Sequence, residues 1–416
     1  MSTLPHDTAP DATPAFLRDG YLFVSRRCDK LGSNAFRARL MLQEIVCIRG
    51  RDAAEFFYGG EHFTRQHAMP PSVTSLLQGT RSVQALDGDA HAHRKRLFMD
   101  LMHEDSLERI EAAFRRCWSE RFERWSADGK PRLVLHEEAR LILTQAVLDW
   151  TGVDRDEEGT RVLAHELSEM IDGAASFGPH YVQARYLRER CERWAQGVIR
   201  TVRERAGPSA PRTPVLMLAT HRDPEGELLD EESAAVELIN LLRPTVAIGR
   251  YIVFLALELH RHPDWRTRLA EGPDDTVRSD TNAFVQEVRR TAPFFPVIAG
   301  RALNAIEWHG HTFAEGDWVM LDLYGTNRDS EVWEDPQAFR PERFPDREIG
   351  PFDLVPQGGG DFIGAHRCPG EWITIRLMEV AVRELAGMNY TVPAQDLGVD
   401  LSKMPARPAD GFVIAG

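Results

Sequence analysis

From Ala90 to about Arg205, apolar residues recur at intervals of three and four, among them Leu97, Leu101, Ile110, Phe114, Trp118 and Phe122. That period predicts amphipathic helices, interrupted where turn residues cluster at Asp128 to Pro131, at Gly152 and at Phe177 to Pro179. Gly207 to Pro214 reads as a turn. A second long helix is expected from about Asp230 to His260, stopped by Pro263, and another from Asn282 to Thr291, closed by Pro293. Near the C-terminal end, Trp372, Ile375, Met378, Glu379 and Val382 place a further helix over Glu371 to Leu385. Shorter runs carry a different period. Tyr21 to Val24, Ala35 to Leu42 and Glu44 to Ile48 read as strands of a small sheet, followed by a short helix over Arg51 to Tyr58. Ala302 to His311 and Trp318 to Asp322 are strand-like, and Trp333 to Pro345 is a proline-rich meander. Residues 1–18 read as a disordered tail, and 19–416 as a single domain, mainly α with a minor β portion.

Composition narrows the class. In a chain of 416 residues, a hydrophobic content of 43% supplies a sizeable core, and a net charge of −14 argues against nucleic acid or an anionic membrane surface as a partner. The five cysteines, Cys28, Cys47, Cys117, Cys191 and Cys368, are scattered without a CxxC pair, which points to a reducing compartment and a cytoplasmic location. Met1 to Pro14 has neither a basic nor an apolar segment of the kind a signal peptide needs. The uncharged apolar run Tyr251 to Leu257 is too short to span a bilayer, so no membrane anchor is expected.

Candidate chemistry concentrates in Pro356 to Glu371, where Cys368 follows a glycine-rich loop and precedes a predicted helix. Exposed N–H groups and the positive dipole end of a helix favour thiolate over thiol, which suits the sulfur to a metal. Pro369 fits a first helical position, and Gly358, Gly359, Gly360, Gly364 and Gly370 let backbone lie close against a flat object. No Cys or His stands at a spacing that would complete a zinc site around Cys368, whereas one protein thiolate is what a haem iron needs. The alternative is a buried structural Cys beside a glycine turn. Gly364, His366, Cys368 and Gly370 resemble the haem-binding loop of the cytochrome P-450 superfamily, with one departure: Asp361 stands where an aromatic is usual, and Phe362 is the nearest candidate.

The resemblance covers nearly the whole chain. It implies the cytochrome P-450 fold, with haem b (iron protoporphyrin IX) between two long helices and Cys368 as the axial ligand. It implies a buried network of Glu287, Arg290 and either Arg340 or Arg343 behind the haem. His91, Arg94, Lys95, Arg301 and His366 match the family's propionate contacts; each could instead be a solvated surface charge. The pairs His91/His93 and His309/His311 leave a zinc site open as a weaker reading.

On the long helix, Val236, Ile239, Arg243, Val246 and Ala247 share one stripe, so an arginine sits on an apolar face. Pro244 then removes the N–H that the Asn240 carbonyl would have accepted. Dioxygen-using relatives carry an acid followed by Thr here; this chain has Leu242-Arg243-Pro244-Thr245. The missing carboxylate is expected to come from the substrate, bound bidentately by Arg243 at roughly 2.8 Å. Such a carboxylate holds its own Cα and Cβ near the iron and can shuttle a proton between the oxygens of hydrogen peroxide. A structural Arg243 paired with Glu237 is the alternative.

This Arg-Pro pair, Gln357-Gly358-Gly359-Gly360 ahead of the Cys, and Asp322-Leu323-Tyr324-Gly325-Thr326-Asn327 resemble the bacterial fatty-acid peroxygenase branch. The branch implies peroxide-dependent hydroxylation of long-chain fatty acids at the α or β carbon without a redox partner, with Arg243, Pro244 and Gln84 in catalysis. Some members decarboxylate to terminal alkenes and commonly carry His where this chain has Gln84; an amide cannot exchange protons as imidazole can, so hydroxylation is expected. The fatty tail needs an apolar channel, for which Leu76, Leu77, Phe177, Phe294, Phe295 and Val297 are candidates, and Gln78 replaces a phenylalanine of well-known members. A dioxygen-dependent monooxygenase and a haem-based sensor remain as rivals.

Overall fold

The computed structural model describes residues 4–79, 81–207 and 212–416. They form two compact units.

The first unit contains the described residues up to Pro71, Arg289–Cys368 and Asp400–Ala406. Its centre is a five-stranded sheet in the order Ala35–Leu40, Gln43–Ile48, Trp318–Asp322, Val297–Ala302, Phe63–Thr64. All pairings are antiparallel except Gln43–Ile48 with Trp318–Asp322. Alternate residues serve opposite faces. Val46, Ile48, Val319 and Leu321 pack on Ala53, Ala54, Phe57 and Tyr58 of the helix Arg51–Tyr58. Phe36, Ala38, Leu40, Cys47 and Met320 pack on Phe23, Val24 and Cys28 of the helix Phe23–Leu31. Burial on both faces explains why these strands read as apolar runs.

Three expectations are corrected here. Residues 21–24 are not a strand: a 3₁₀ turn, Gly20–Leu22, leads into the helix Phe23–Leu31, ended by Gly32 at φ 62°. Four apolar residues cannot distinguish the two periods, and Val24 and Cys28, one turn apart, settle it as a helix by packing on the sheet. Of the disordered tail expected at 1–18, residues 1–3 lie outside the described residues, and residues 4–18 are ordered. Arg37 N donates to Pro5 O (2.8 Å), Asp7 N to Arg37 O (2.8 Å) and Ala12 N to Arg39 O (2.7 Å), before the helix Thr13–Asp19. An edge strand's unpaired backbone groups supply the reason. The single strand read at 302–311 is a hairpin of Ile306–Trp308 and His311–Phe313, turned by Gly310 at φ 72°.

The second unit contains Ser72–Val288, Pro369–Val399 and Arg407–Gly416 and is helical, with one two-stranded pair, Leu133–Val134 with Val413–Ile414. The long helix, Glu231–Arg261, is its axis and packs on Leu135–Thr151, Pro179–Arg205 and Glu371–Gly387. Asp230 caps it through Ser233 N (2.9 Å), and it runs on through Pro244. By length and composition it could cross a membrane, but 94% of its most apolar window is buried in the protein. Pro263 both follows this helix and opens the next, Pro263–Glu271. The helix expected from Asn282 begins earlier, at Asp274. Pro369 precedes the helix Glu371–Gly387 instead of opening it; Gly370 is the cap. Of the turn expected at 207–214, residues 208–211 lie outside the described residues, and Pro214 begins a short helix capped by Thr213.

The segment 322–327 is wired into the first unit. Asp322 accepts from Ser25 Oγ (2.6 Å) and Gly325 N (2.7 Å), Thr326 Oγ1 accepts from Gly50 N (3.0 Å), and Asn327 Oδ1 accepts from Val355 N (2.7 Å). Burial pushes the Asp322 carboxyl up to about 6 from 3.8, against the pull of Ser25 and Gly325. A carboxyl raised by folding binds its proton more tightly in the native state, so its stabilisation is complete below pH 3.8 and is lost as pH rises towards 6. Asp322→Asn should therefore gain on the wild type by roughly 2–3 kcal/mol between pH 4 and pH 7, read as the change in their difference in denaturant unfolding free energy.

Candidate active site

In the first unit the glycine run seats the Cys loop on Tyr58. Gly358 and Gly360 have φ 96° and 83°. A Cβ at Gly358 would lie 3.3 Å from Tyr58 Oη, one at Gly359 2.9 Å from Val355 Cγ1, and one at Gly360 3.3 Å from Tyr58 Cβ. Cys368 N donates to Gln357 O (3.0 Å) and closes the loop, while Gln357 Oε1 accepts from Arg289 Nη2 (3.3 Å). Asp361 accepts from Ile363 N (2.9 Å) and from Gly364 N, so the departure from the family's aromatic holds the turn by hydrogen bonds instead. Phe362 takes the Arg367 guanidinium on its ring at 4.1 Å.

Cys368 is half-buried, whereas Cys28, Cys47, Cys117 and Cys191 are buried. Desolvation pushes Cys28, Cys117 and Cys191 up to about 12 and Cys47 well above its ordinary value, which keeps those thiols neutral and poor metal ligands. A half-buried thiol at the end of a closed glycine loop fits one axial thiolate to haem. The histidine pairs do not converge on a metal. His93 bonds the Arg222 carbonyl (2.9 Å), His309 bonds Asp52 (2.5 Å) and His311 meets Arg37 (3.4 Å). Among the described residues no group of three His, Cys, Asp or Glu could hold an ion.

Arg301, expected at a propionate, spends its guanidinium elsewhere: it donates to His67 O (3.1 Å), Gly316 O (3.2 Å) and Gln43 Oε1 (3.1 Å). Strand alternation is the reason, because Arg301 and Gly300 point to opposite faces. The cation on the Gly300 face is Arg65, which the sequence reading missed. A Cβ at Gly300 would lie 3.1 Å from Arg65 Nη1, and Arg65 stacks on Phe57 (4.1 Å) and Tyr58 (5.3 Å), the ring that carries the Cys loop. Its signal was indirect: a glycine opposite an arginine across paired strands. His366, two residues before Cys368, is half-buried. Arg290 donates to the carbonyls of Asn327 (3.1 Å), Pro336 (2.8 Å) and Ala338 (3.0 Å), and Arg343 to Glu334 O (2.7 Å), so both brace the meander.

The second unit holds the remaining candidates. Thr74–Gln78 is a single π-helical turn, closed by Gly79 N on Thr74 O (2.7 Å). Because the chain leaves the helix there, its last carbonyls need outside donors. Arg188 Nη1 takes Leu76 O (2.9 Å), Arg243 Nη2 takes Leu77 O, and Asn240 Nδ2 takes Gln78 O (3.3 Å). Arg243, 6% exposed, also donates to Asn240 Oδ1 (3.3 Å). Asn240 Nδ2 in turn meets Gln84 Oε1 (3.3 Å) and Glu237 Oε2 (3.0 Å). Glu237 Oε1 accepts from Val83 N (2.8 Å) and Arg94 Nη1 (3.0 Å). Arg243, Gln84, Leu77 and Gln78 are thus brought together, the last two through their backbone, and Asn240 is the member the sequence reading did not single out. Thr245 bonds back to Leu241 O (2.9 Å).

His91 and Lys95 lie one turn apart on the helix Gly88–Met99 and are buried, 5% and 1% exposed. Arg94, between them, turns instead to Glu237. The apolar candidates divide. Phe177 is 66% exposed just before the helix Pro179–Arg205, and Phe295 is 44% exposed; each sits in a connection between elements. Leu76 is core, packed with Ala174 and Ala184, while Leu77 is half-buried beside it. Phe294 is half-buried against Phe295, and Val297 packs on the sheet.

The family description "Cytochrome P450" matches residues 179–385. The solved structure of cytochrome P450SP alpha (CYP152B1) with (R)-ibuprophen is 42% identical, covers 98% of both chains and superposes with a TM-score of 0.93. Cytochrome P450EX alpha (CYP152N1) with myristic acid is 38% identical over 100% of this chain and 99% of its own, with a TM-score of 0.93. A variant of cytochrome P450 OleT in complex with arachidonic acid is 32% identical over 100% and 98%, also at 0.93. Cytochrome P450 26B1 of Danio rerio is 25% identical over 94% of this chain and 81% of its own length. The chain belongs to the cytochrome P450 family, whose members carry haem. Within it the chain falls with the CYP152 proteins, the fatty-acid peroxygenase branch that its Arg-Pro pair and its 322–327 motif resemble.

The seat of the Cys loop can be tested directly. Gly359→Ala should cost about 1–3 kcal/mol of stability and lower the haem-to-protein ratio, because its Cβ meets Val355 Cγ1 and, at 3.0 Å, Pro351 O. Gly387→Ala, with nothing within 4 Å of its Cβ, should keep full haem content in the same purification and absorbance assay.

Proposed function

We propose that the protein hydroxylates long-chain fatty acids at the α or β carbon with hydrogen peroxide, using haem b held by Cys368. One observation carries this reading: the Arg243 guanidinium lies buried in the axis helix, its direction set by Leu77 O and Asn240 Oδ1. Glu237, the acid that a purely structural role for Arg243 would call on, is engaged by Val83, Arg94 and Asn240. The ligands named with the three related structures are all carboxylic acids, and two of them are fatty acids.

When bound, the haem supplies the oxidising chemistry. The protein's part is positioning and proton handling. Arg243 binds the substrate carboxylate through paired N–H donors, which fixes the Cα and Cβ that follow it. That carboxylate then serves as the general acid–base that the chain lacks at this point of the helix, holding and returning a proton of the peroxide. Lys95, His91, His366 and Arg65 are the cations and donors proposed for the haem carboxylates; Arg301 is not among them. Gln84, an amide, adds no proton exchange, so hydroxylation is favoured over decarboxylation. The cysteines, none of them in a disulfide among the described residues, suit a reducing, cytoplasmic setting, and no redox partner is needed.

The test is purified holoenzyme with myristic acid and peroxide, without reductase, and products identified by mass spectrometry. Hydroxy acid is the expected product, and Arg243→Ala should lower turnover by about a hundredfold through loss of a charge-assisted anchor. Turnover only with NADPH and a ferredoxin, unchanged in Arg243→Ala, would sink the proposal. Gln84→His should raise the alkene fraction at the expense of hydroxy acid in the same assay.

A further inference from the structure

Asn240 stands between two groups of opposite demand. On one side, Glu237 receives donors from Val83 N–H, Arg94 and Asn240 Nδ2. A protonated acid would turn an O–H into those donors, so the arrangement suits the carboxylate. Burial holds the carboxyl above its ordinary value, and Asn240, Arg94 and the Val83 N–H offset that only in part, so it is the geometry of the three donors that favours the carboxylate. On the other side is the Arg243 guanidinium, which can only donate. An amide between an acceptor-only and a donor-only group has one satisfied orientation, with NH₂ to the carboxylate and C=O to the guanidinium. The same NH₂ meets Gln84 Oε1, which leaves the Gln84 NH₂ as the end turned away from Asn240.

We propose that Glu237, clamped by Arg94 and the Val83 N–H, is a positioning residue for substrate binding: by holding the Asn240 amide one way round, it aims the Arg243 guanidinium and the Gln84 amide at the acid head of the substrate. The role rests on the carboxylate-anchor reading of Arg243. It gives Arg94 a function in substrate recognition in place of a haem contact. Glu237→Gln puts a second amide into the relay. Its NH₂ can face Asn240, which then turns its own NH₂ towards Arg243, donor against donor, and the anchor loses its aim.

The experiment measures equilibrium dissociation constants of holoenzyme for myristate and for methyl myristate, which lacks the charged head, by calorimetry, with thermal unfolding as a check. Glu237→Gln should weaken myristate about tenfold or more and change the ester by less than about twofold, since one misdirected charge-assisted bond is at stake. Asn240→Ala removes the relay without leaving Arg94 unpaired and should show the same selectivity; it replaces Glu237→Gln if that variant does not fold. Equal weakening of acid and ester, or none of either, overturns the role. Arg243→Ala is the reference. If it keeps the wild-type preference for acid over ester, the anchor reading itself fails. If it loses that preference while Glu237→Gln and Asn240→Ala keep it, only the positioning role is wrong.

Discussion

A guanidinium buried on the face of a core helix is tolerable only if its surroundings are built for it, and much of the second unit is. The π-helical turn at Thr74–Gln78 ends so that its carbonyls face outward to Arg188, Arg243 and Asn240. Thus the turn answers two needs at once: helix-end carbonyls that require donors, and an arginine that requires a fixed direction. Glu237 extends the same network to Val83 and Arg94, so the helix Gly88–Met99 and the turn before it are tied to the axis helix through one carboxylate. A buried polar cluster whose members bond to one another specifies one geometry.

The first unit solves a different problem by sterics. Its Cys loop lies on Tyr58, and the glycines at 358–360 are required as much by that ring and by positive φ as by any flat ligand. Arg65 stacks on the same ring, and Asn327 holds Val355 just ahead of the loop. The 322–327 motif is therefore structural: it joins Ser25, Gly50 and Val355 to one short turn. A motif useful for recognising the branch need not touch its substrate.

What was legible in the sequence follows from which signals are local. Long helices announce themselves by period, and Arg51–Tyr58 and the strand pair 35–48 were read nearly as they stand. Residues 21–24 were misread because a four-residue apolar run fits either period until Cys28 is packed. Residues 4–12 looked unstructured because their partner is an edge strand, which composition does not reveal. In the site, Cys368 and Arg243 were visible as chemical anomalies: a lone Cys after glycines, and a charge on an apolar stripe. Side-chain direction was not. Arg301 and Arg65 differ only in which face of a strand pair they occupy, and Arg94 only in which helix it meets.

That distinction bears on how Glu237 was weighed. Read from sequence, it was one acid with which a structural Arg243 could pair. In the folded protein Asn240 stands between them and converts a possible ion pair into an amide relay. An ion pair there would have neutralised the anchor. A relay orients it without cancelling its charge, because an amide carbonyl accepts a hydrogen bond and contributes no counter-charge. One asparagine thus separates a structural arginine from one that can hold an acid.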